Sequence, residues 1–198
     1  LVVFLPDNAS LKSAFIPVIR KELKERFSNK LVKETIAALP QEYKVQVYGR
    51  DINMFYLEGD LRERIEAKDG GYTVVNTSLF FSEDEMESEI SQHPERFSPN
   101  VILRPVFQEL VLPNVAFIGG GGELAYWLEL KKVFEAVSVP YPVLVLRNSF
   151  MIIPADLARK ISAMGMQPED FFGPADDIFA ALVKKESALK LHLVAEKE

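Results

Sequence analysis

Four consecutive glycines, Gly119 to Gly122, follow the apolar run Val115-Ala116-Phe117-Ile118 and lead at once into Glu123-Leu124-Ala125-Tyr126-Trp127. A strand that turns through glycines into a helix leaves backbone N–H groups unpaired at the helix N-terminus. Glycine lets a ligand approach the backbone closely there, and the helix dipole favours negative charge. The chemistry on offer is the binding of a carboxylate or phosphate. A plain connection needs only one glycine, so a run of four favours the ligand reading over a ligand-free loop.

Two further segments place polar residues directly after apolar runs. Val101 to Leu103 leads to Arg104, and Val143 to Leu146 leads to Arg147, Asn148 and Ser149. Ligands of open parallel sheets bind beyond the carboxyl ends of the strands. If the three tips converge, they unite two guanidinium groups, the Glu123 carboxylate, an amide, a hydroxyl and a bank of backbone donors. Arginine pairs suit bidentate recognition of carboxylate or phosphate. Glu123 has three open roles: orienting an amine, acting as a base, or stabilising the helix N-terminus. Gln108, on the helix that follows Arg104, either reaches the same edge or stays at the surface. Tyr126 is placed toward the ligand. Trp127 falls in the stripe Trp127, Leu130, Phe134, Val137 and is read as core. Asn53 and Tyr56 flank a short apolar strand, and there loop polarity outweighs a ligand contact.

Several function classes lose support. Gly120-x-Gly122-x-x-Ala125 matches the dinucleotide pattern, which expects an acidic residue about 20 positions on. Arg147 and Asn148 occupy that place, which disfavours NAD and leaves an NADP-dependent oxidoreductase lobe as one alternative and a non-catalytic binding module as another. No Gly-Lys-Ser/Thr follows the glycines, so the Walker pattern fails. The chain has no cysteine and only His93 and His192, which removes thiol nucleophiles and cysteine–zinc sites and makes no case for a resident metal. Ser149 lacks a nearby base. The net charge of −6, without a basic stripe, argues against nucleic acid. No apolar run reaches the ~18 residues of a membrane span, and no signal peptide is visible. A soluble cytoplasmic protein without a tightly bound cofactor is expected.

The elements that must position these residues follow from pattern. With 198 residues, 48% hydrophobic and 26% charged, one sizeable core is affordable. Leu1 to Leu5 reads as a buried strand, and Ser10 as the N-cap of a helix that Pro17 kinks or divides. A second helix spans about 30–39. Lys44 to Tyr48 alternates as a half-buried strand does, and Met54 to Leu57 is a short apolar strand. Asp69-Gly70-Gly71 marks a hairpin. Ser82-Glu83-Asp84-Glu85 has the form of a capping box. Val101 to Leu103 reads as a strand, and Pro105 suits the first turn of a helix ending before Pro113. A helix from about 123 to 137 follows the glycines, and Val143 to Leu146 reads as a strand buried on both faces. Helices near 154–164, 167–172 and 176–193 close the chain. Strand–helix alternation from Val101 implies parallel pairing. The expected fold is one α/β unit over 1–198: a Rossmann-like, mostly parallel sheet with helices on both faces and a small antiparallel hairpin excursion. A chain that opens directly on Leu1-Val2-Val3-Phe4-Leu5 is read as part of a longer polypeptide.

The stretch Phe97-Ser98-Pro99-Asn100-Val101-Ile102-Leu103-Arg104-Pro105, with Gln108-Glu109 and then Leu112 through the glycines to Trp127, resembles the cysteine ligases of bacillithiol biosynthesis. Ile52-Asn53-Met54-Phe55-Tyr56 and Val139-Pro140-Tyr141-Pro142 leading to Leu146-Arg147-Asn148-Ser149 support it. Relatives often have Gly-Gly-Pro-Gly-Glu in the glycine segment, where Gly121 stands in place of proline here. The resemblance implies a class I synthetase-like Rossmann core, of which this chain is a central piece, with residues from about 176 leading toward a coiled coil that dimerises the whole protein. It implies ligation of cysteine to glucosaminyl malate, with ATP and Mg²⁺ as co-substrate, and an inactive isolated piece. The residues read above from the strand tips and the glycine turn, Arg104, Gln108, Gly119 to Gly122, Glu123, Tyr126, Arg147, Asn148 and Ser149, are the expected substrate- or nucleotide-binding set, with Glu123 the candidate catalytic group; the resemblance itself does not say which residue does the chemistry.

Overall fold

The computed structural model describes residue 3 and residues 5–186. The chain divides into two compact units, residues 1–147 and 148–198. The first unit opens with α1 (Ala9–Ser13), whose cap is Asn8: its side-chain oxygen accepts from Ser10 N–H at 3.0 Å and Leu11 N–H at 3.4 Å. Ser10, the expected cap, lies inside the helix. Pro17 divides the helical stretch as expected, sitting in the first turn of α2 (Ile16–Glu25), where its missing N–H costs nothing. Arg26, with φ of +51°, turns the chain directly into α3 (Phe27–Ala37). Of the Leu1–Leu5 run, Val3 and Leu5 are exposed and the other three residues lie outside the described ones.

Five strands then form one sheet in the order β4-β3-β2-β1-β5: β1 (Met54–Glu58), β2 (Leu61–Lys68), β3 (Gly71–Val74), β4 (Phe80–Ser82) and β5 (Phe97–Pro99). Every pairing in it is antiparallel. This corrects the expectation of a mostly parallel sheet. The reason is connection length. Gly59 and Gly70, with φ of +56° and +79°, close tight turns between neighbouring strands, and a tight turn can only join antiparallel partners. The Asp69-Gly70 hairpin is therefore part of the main sheet. Gly71 beside it must be glycine for space, since a Cβ there would stand 2.1 Å from Phe81 O.

Parallel pairing is confined, among the described residues, to β6 (Ala116–Gly119) and β7 (Val143–Leu146), which are joined through α6 (Gly121–Leu128) and α7 (Lys131–Ala136). The single helix expected over 123–137 is thus two, and Trp127, Leu130 and Phe134 are buried on the expected stripe. β7 is not buried on both faces: Val143, Val145 and Leu146 are exposed, because β6 is its only pairing partner among the described residues.

Two expected strands are absent. Val101 to Leu103 is a turn, because the Asn100 side chain accepts the Ile102 N–H at 2.9 Å and the Asn100 carbonyl accepts the Arg104 N–H at 2.8 Å, starting α5 (Arg104–Val111). Residues 44–50 keep the alternating burial of a strand. Their amides do not join a ladder, however: Gln46 and Val47 donate to the Glu129 carboxylate.

The core lies between the helices and one face of the sheet. Phe15, Ile19 and Val32 from the helices meet Met54, Tyr56, Ile65 and Val74 from the strands. Met86 and Ile90 of α4 (Glu83–Gln92) close it, and Ser82 and Glu85 make the expected reciprocal capping box at the start of that helix. Burying a large apolar side chain contributes roughly 1.5–3 kcal/mol, so this cluster dominates stability.

The second unit carries α8 (Ala155–Ala163), a 3₁₀ turn (Pro168–Phe172) and α9 (Ala175–Glu186). Gly165 ends α8 in the left-handed region at φ +63°. The expected continuation of the last helix toward 193, and the coiled coil, lie outside the described residues. Among those residues no helix is long and apolar enough to cross a membrane.

Candidate functional site

A cleft of about 620 Å³ opens in the first unit. Four parts of the chain build it. The sheet contributes Phe55 from β1 and Arg62 from β2; the turn before α5 and that helix contribute Asn100, Arg104 and Gln108; β6 and α6 contribute Phe117, Glu123, Tyr126 and Trp127. The extended segment adds Tyr48 and Arg50 along the rim.

Charge sets the character of this cleft. Arg50, Arg62 and Arg104 face one carboxylate, Glu123. None of the three arginines forms a salt bridge among the described residues. Guanidinium groups gathered in a concave site and left unpaired concentrate positive potential and retain their forked donors for a ligand. Arg62 is braced by the Phe55 ring, 3.9 Å from its centroid. That contact follows from register: Phe55 pairs with Arg64 and Leu57 with Arg62, so Phe55 and Arg62 are diagonal neighbours on one face.

Aromatic groups form the opposite wall. Phe117 stacks on Trp127 with centroids 4.2 Å apart. Trp127 is 1% exposed, and its indole Nε1 has no hydrogen-bond partner. Among the described residues no group of three His, Cys, Asp or Glu is placed to hold a metal ion.

The proposed site residues separate into three groups. Arg104, Gln108, Glu123 and Tyr126 line the cleft together. The glycines are divided. Gly119 is buried at the end of β6, and Gly120 donates its N–H to Glu123 Oε2 at 2.7 Å, so that amide is taken by the protein. Gly121 and Gly122 open α6 with free space where a side chain would project. Arg147 lies against Gly120, where a Cβ would meet its Nε at 3.1 Å and Glu123 Oε2 at 3.5 Å; it is not part of the cleft wall. Asn148 and Ser149 are exposed and belong to the second unit.

Trp127, read as core, is both core and wall. Reasoning from sequence missed Tyr48, Arg50, Phe55, Arg62 and Asn100. The turn at Gly59 would have placed Arg62 diagonal to Phe55; nothing local marks Arg50.

Glu129, fully buried at the end of α6, holds the rim. It accepts from Gln46 N at 2.7 Å, Val47 N at 3.3 Å and the Tyr43 hydroxyl at 3.3 Å, while Tyr43 also donates to Ala125 O. Burial, and then the Glu129 carboxylate, push the Tyr43 hydroxyl up to about 12.

Fold and cleft together define an α/β protein with an arginine-lined cleft. The family described as "Bacillithiol biosynthesis BshC, N-terminal Rossmann-like domain" matches residues 1–148. Among similar proteins, one from Flavobacterium johnsoniae is 46% identical over 198 residues, covering all of this chain and 37% of the relative. One from Christiangramia forsetii is 42% identical over 199 residues, with the same coverage. One from Bacillus cereus is 34% identical over 152 residues, 77% of this chain and 28% of the relative. Each carries the name "Putative cysteine ligase BshC". The chain belongs to the BshC family of bacillithiol biosynthesis, and it spans about 37% of the length of the curated relatives that it matches end to end.

Proposed function

We propose that this chain supplies the acid-binding cleft of a ligase that joins cysteine to glucosaminyl malate through a carbon–nitrogen bond. Family membership and the cysteine-ligase name of the relatives support the reaction class. The observation that carries the reading is the meeting of Arg50, Arg62 and Arg104, unpaired among the described residues, in one cleft beside Trp127. The malyl carboxylates, the cysteine carboxylate and the phosphates of ATP all present paired oxygens that a guanidinium fork can hold.

In the proposed reaction ATP, carrying Mg²⁺ on its phosphates, activates the cysteine carboxylate. A carboxylate oxygen of cysteine attacks the α-phosphorus of ATP and pyrophosphate leaves; the amine of glucosaminyl malate then attacks the cysteinyl carbonyl, AMP leaves with the bonding electrons, and the amine releases its proton to solvent. No covalent enzyme intermediate is required; positioning and charge stabilisation suffice. Arg50, Arg62 and Arg104 hold acidic groups, Gly121 and Gly122 offer amides at the α6 N-terminus, and Gln108 and Tyr126 flank the ligand. Glu123 holds the glycine turn by its bond to Gly120, with Arg147 alongside. Turnover requires the rest of the parent protein.

Trp127, the only tryptophan, reports the test. Glucosaminyl malate, cysteine and ATP are titrated separately against the chain and its Arg104→Ala variant. At least one acidic ligand is expected to change the fluorescence and to bind about tenfold more weakly to the variant, the equivalent of about 1.4 kcal/mol. Binding unaffected by Arg50→Ala, Arg62→Ala and Arg104→Ala alike would remove the assignment.

A further inference from the structure

Asn53 is fully buried and stands behind the cleft, outside its wall. Its side chain meets Arg50 twice: Oδ1 accepts the Arg50 N–H at 3.0 Å, and Nδ2 donates to the Arg50 carbonyl at 3.0 Å. One amide thus clamps both polar backbone groups of a cleft arginine. Oδ1 also accepts from Asn100 Nδ2 at 2.8 Å, and the Asn53 carbonyl accepts the Asn100 N–H at 3.1 Å. Asn100 in turn accepts the Arg104 N–H at the start of α5. Two cleft arginines from different parts of the chain therefore trace back to one buried side chain.

What orients that side chain is Glu22, also fully buried, on α2. Its Oε1 accepts from Ser28 Oγ at 2.7 Å, from Asn53 N at 2.9 Å and from Asn53 Nδ2 at 3.2 Å, and its Oε2 accepts from Ser28 N at 3.2 Å. Asn53 Nδ2 also reaches Ser28 Oγ at 2.7 Å. A carboxylate faced by these donors dictates which end of the Asn53 amide turns inward, and leaves Oδ1 for Arg50 and Asn100.

We infer that Asn53, oriented by Glu22, is the positioning residue of the arginine cleft. It fixes Arg50 and Asn100 directly, and the Arg104 N–H one hydrogen bond further on. The inference rests on the reading of the cleft as an acid-binding site. A buried network that served folding alone would affect stability without affecting ligand affinity at temperatures where the chain is folded.

Inorganic pyrophosphate is the probe, followed by Trp127 fluorescence together with thermal unfolding, for the wild-type chain, Asn53→Ala, Glu22→Gln and Val32→Ala. Val32 is a buried core residue of α3 outside the network. Both network variants are expected to bind pyrophosphate about tenfold more weakly while folded. Val32→Ala is expected to lower the unfolding temperature and leave affinity within about twofold, since a cavity that keeps every hydrogen bond of the network changes stability and not the arrangement of the arginines. Should the network variants not fold, hydrogen exchange on the wild type decides: pyrophosphate should slow exchange at the Arg50, Asn53 and Asn100 amides, and unchanged exchange there overturns the inference. Unchanged affinity in a folded Asn53→Ala, or an equal loss in Val32→Ala, also overturns it. Absence of pyrophosphate binding by the wild type would remove the acid-binding reading first, and this inference with it.

Discussion

The Glu129 carboxylate accepts the Gln46 backbone N–H at 2.7 Å, linking the end of α6 to an extended segment 83 residues earlier in the chain. The two ends of this contact serve one cleft. α6 carries Glu123, Tyr126 and Trp127, and the segment carries Tyr48 and Arg50. A carboxylate here takes the place of the neighbouring strand that the alternating residues 44–50 would otherwise need.

Replacing Glu129 by alanine should therefore cost about 1–3 kcal/mol, because part-buried amides lose their acceptor. Urea unfolding measures the loss. Hydrogen exchange at Gln46 and Val47 should accelerate together, and protection equal to that of the wild type would show that the carboxylate is not what holds the rim.

Glu123 binds its own helix turn. Glu123→Ala removes the acceptor of the Gly120 N–H and an acidic residue from the first turn of α6. A loss of about 1 kcal/mol is expected, as for an ordinary helix cap. The same change frees an amide and removes the one carboxylate that lines the cleft, so pyrophosphate should bind more tightly. Weaker pyrophosphate binding in a folded variant would mean that Glu123 positions the loop for the ligand instead of competing with it.

Lys12 supplies a pH dependence. It is 1% exposed, donates to Phe97 O at 2.5 Å and lies 3.4 Å from Asp7. Burial lowers its pKa from 10.5; Asp7 works against that, Arg104 adds to it and Glu95 opposes it. The unfolded chain keeps this proton up to about 10.5, whereas the folded chain releases it earlier. Between those two values the unfolded state binds more protons, so the Lys12 contribution to stability rises with pH. The stability of the wild type minus that of Lys12→Met should be flat at lower pH and climb through that alkaline window. A difference that falls there would refute the assignment of burial as the leading cause.

Features with local causes were legible in the sequence. The capping box at Ser82 and Glu85, the hairpin at Asp69-Gly70, Pro105 in the first turn of α5 and the stripe through Trp127, Leu130 and Phe134 each depend on residues a few positions apart. So did the polar residues following the apolar run before α6, and the family resemblance carried by that block. Competing local chemistry misled elsewhere: the Asn100 side chain turned Val101 to Leu103 into a helix start, and Asn8 displaced Ser10 as a cap.

By itself the sequence determined an α/β chain of this family, with a glycine turn that leads from a strand into a helix. Only the tertiary structure decided that the main sheet is antiparallel, that Arg50 and Arg62 join Arg104 in one cleft, and that Glu123 spends a carboxylate oxygen on Gly120. The reason is range. Caps, turns and periodicity act between near neighbours, whereas strand pairing and shared cavities depend on contacts such as Glu22 to Asn53 and Gln46 to Glu129, whose partners lie 31 and 83 residues apart.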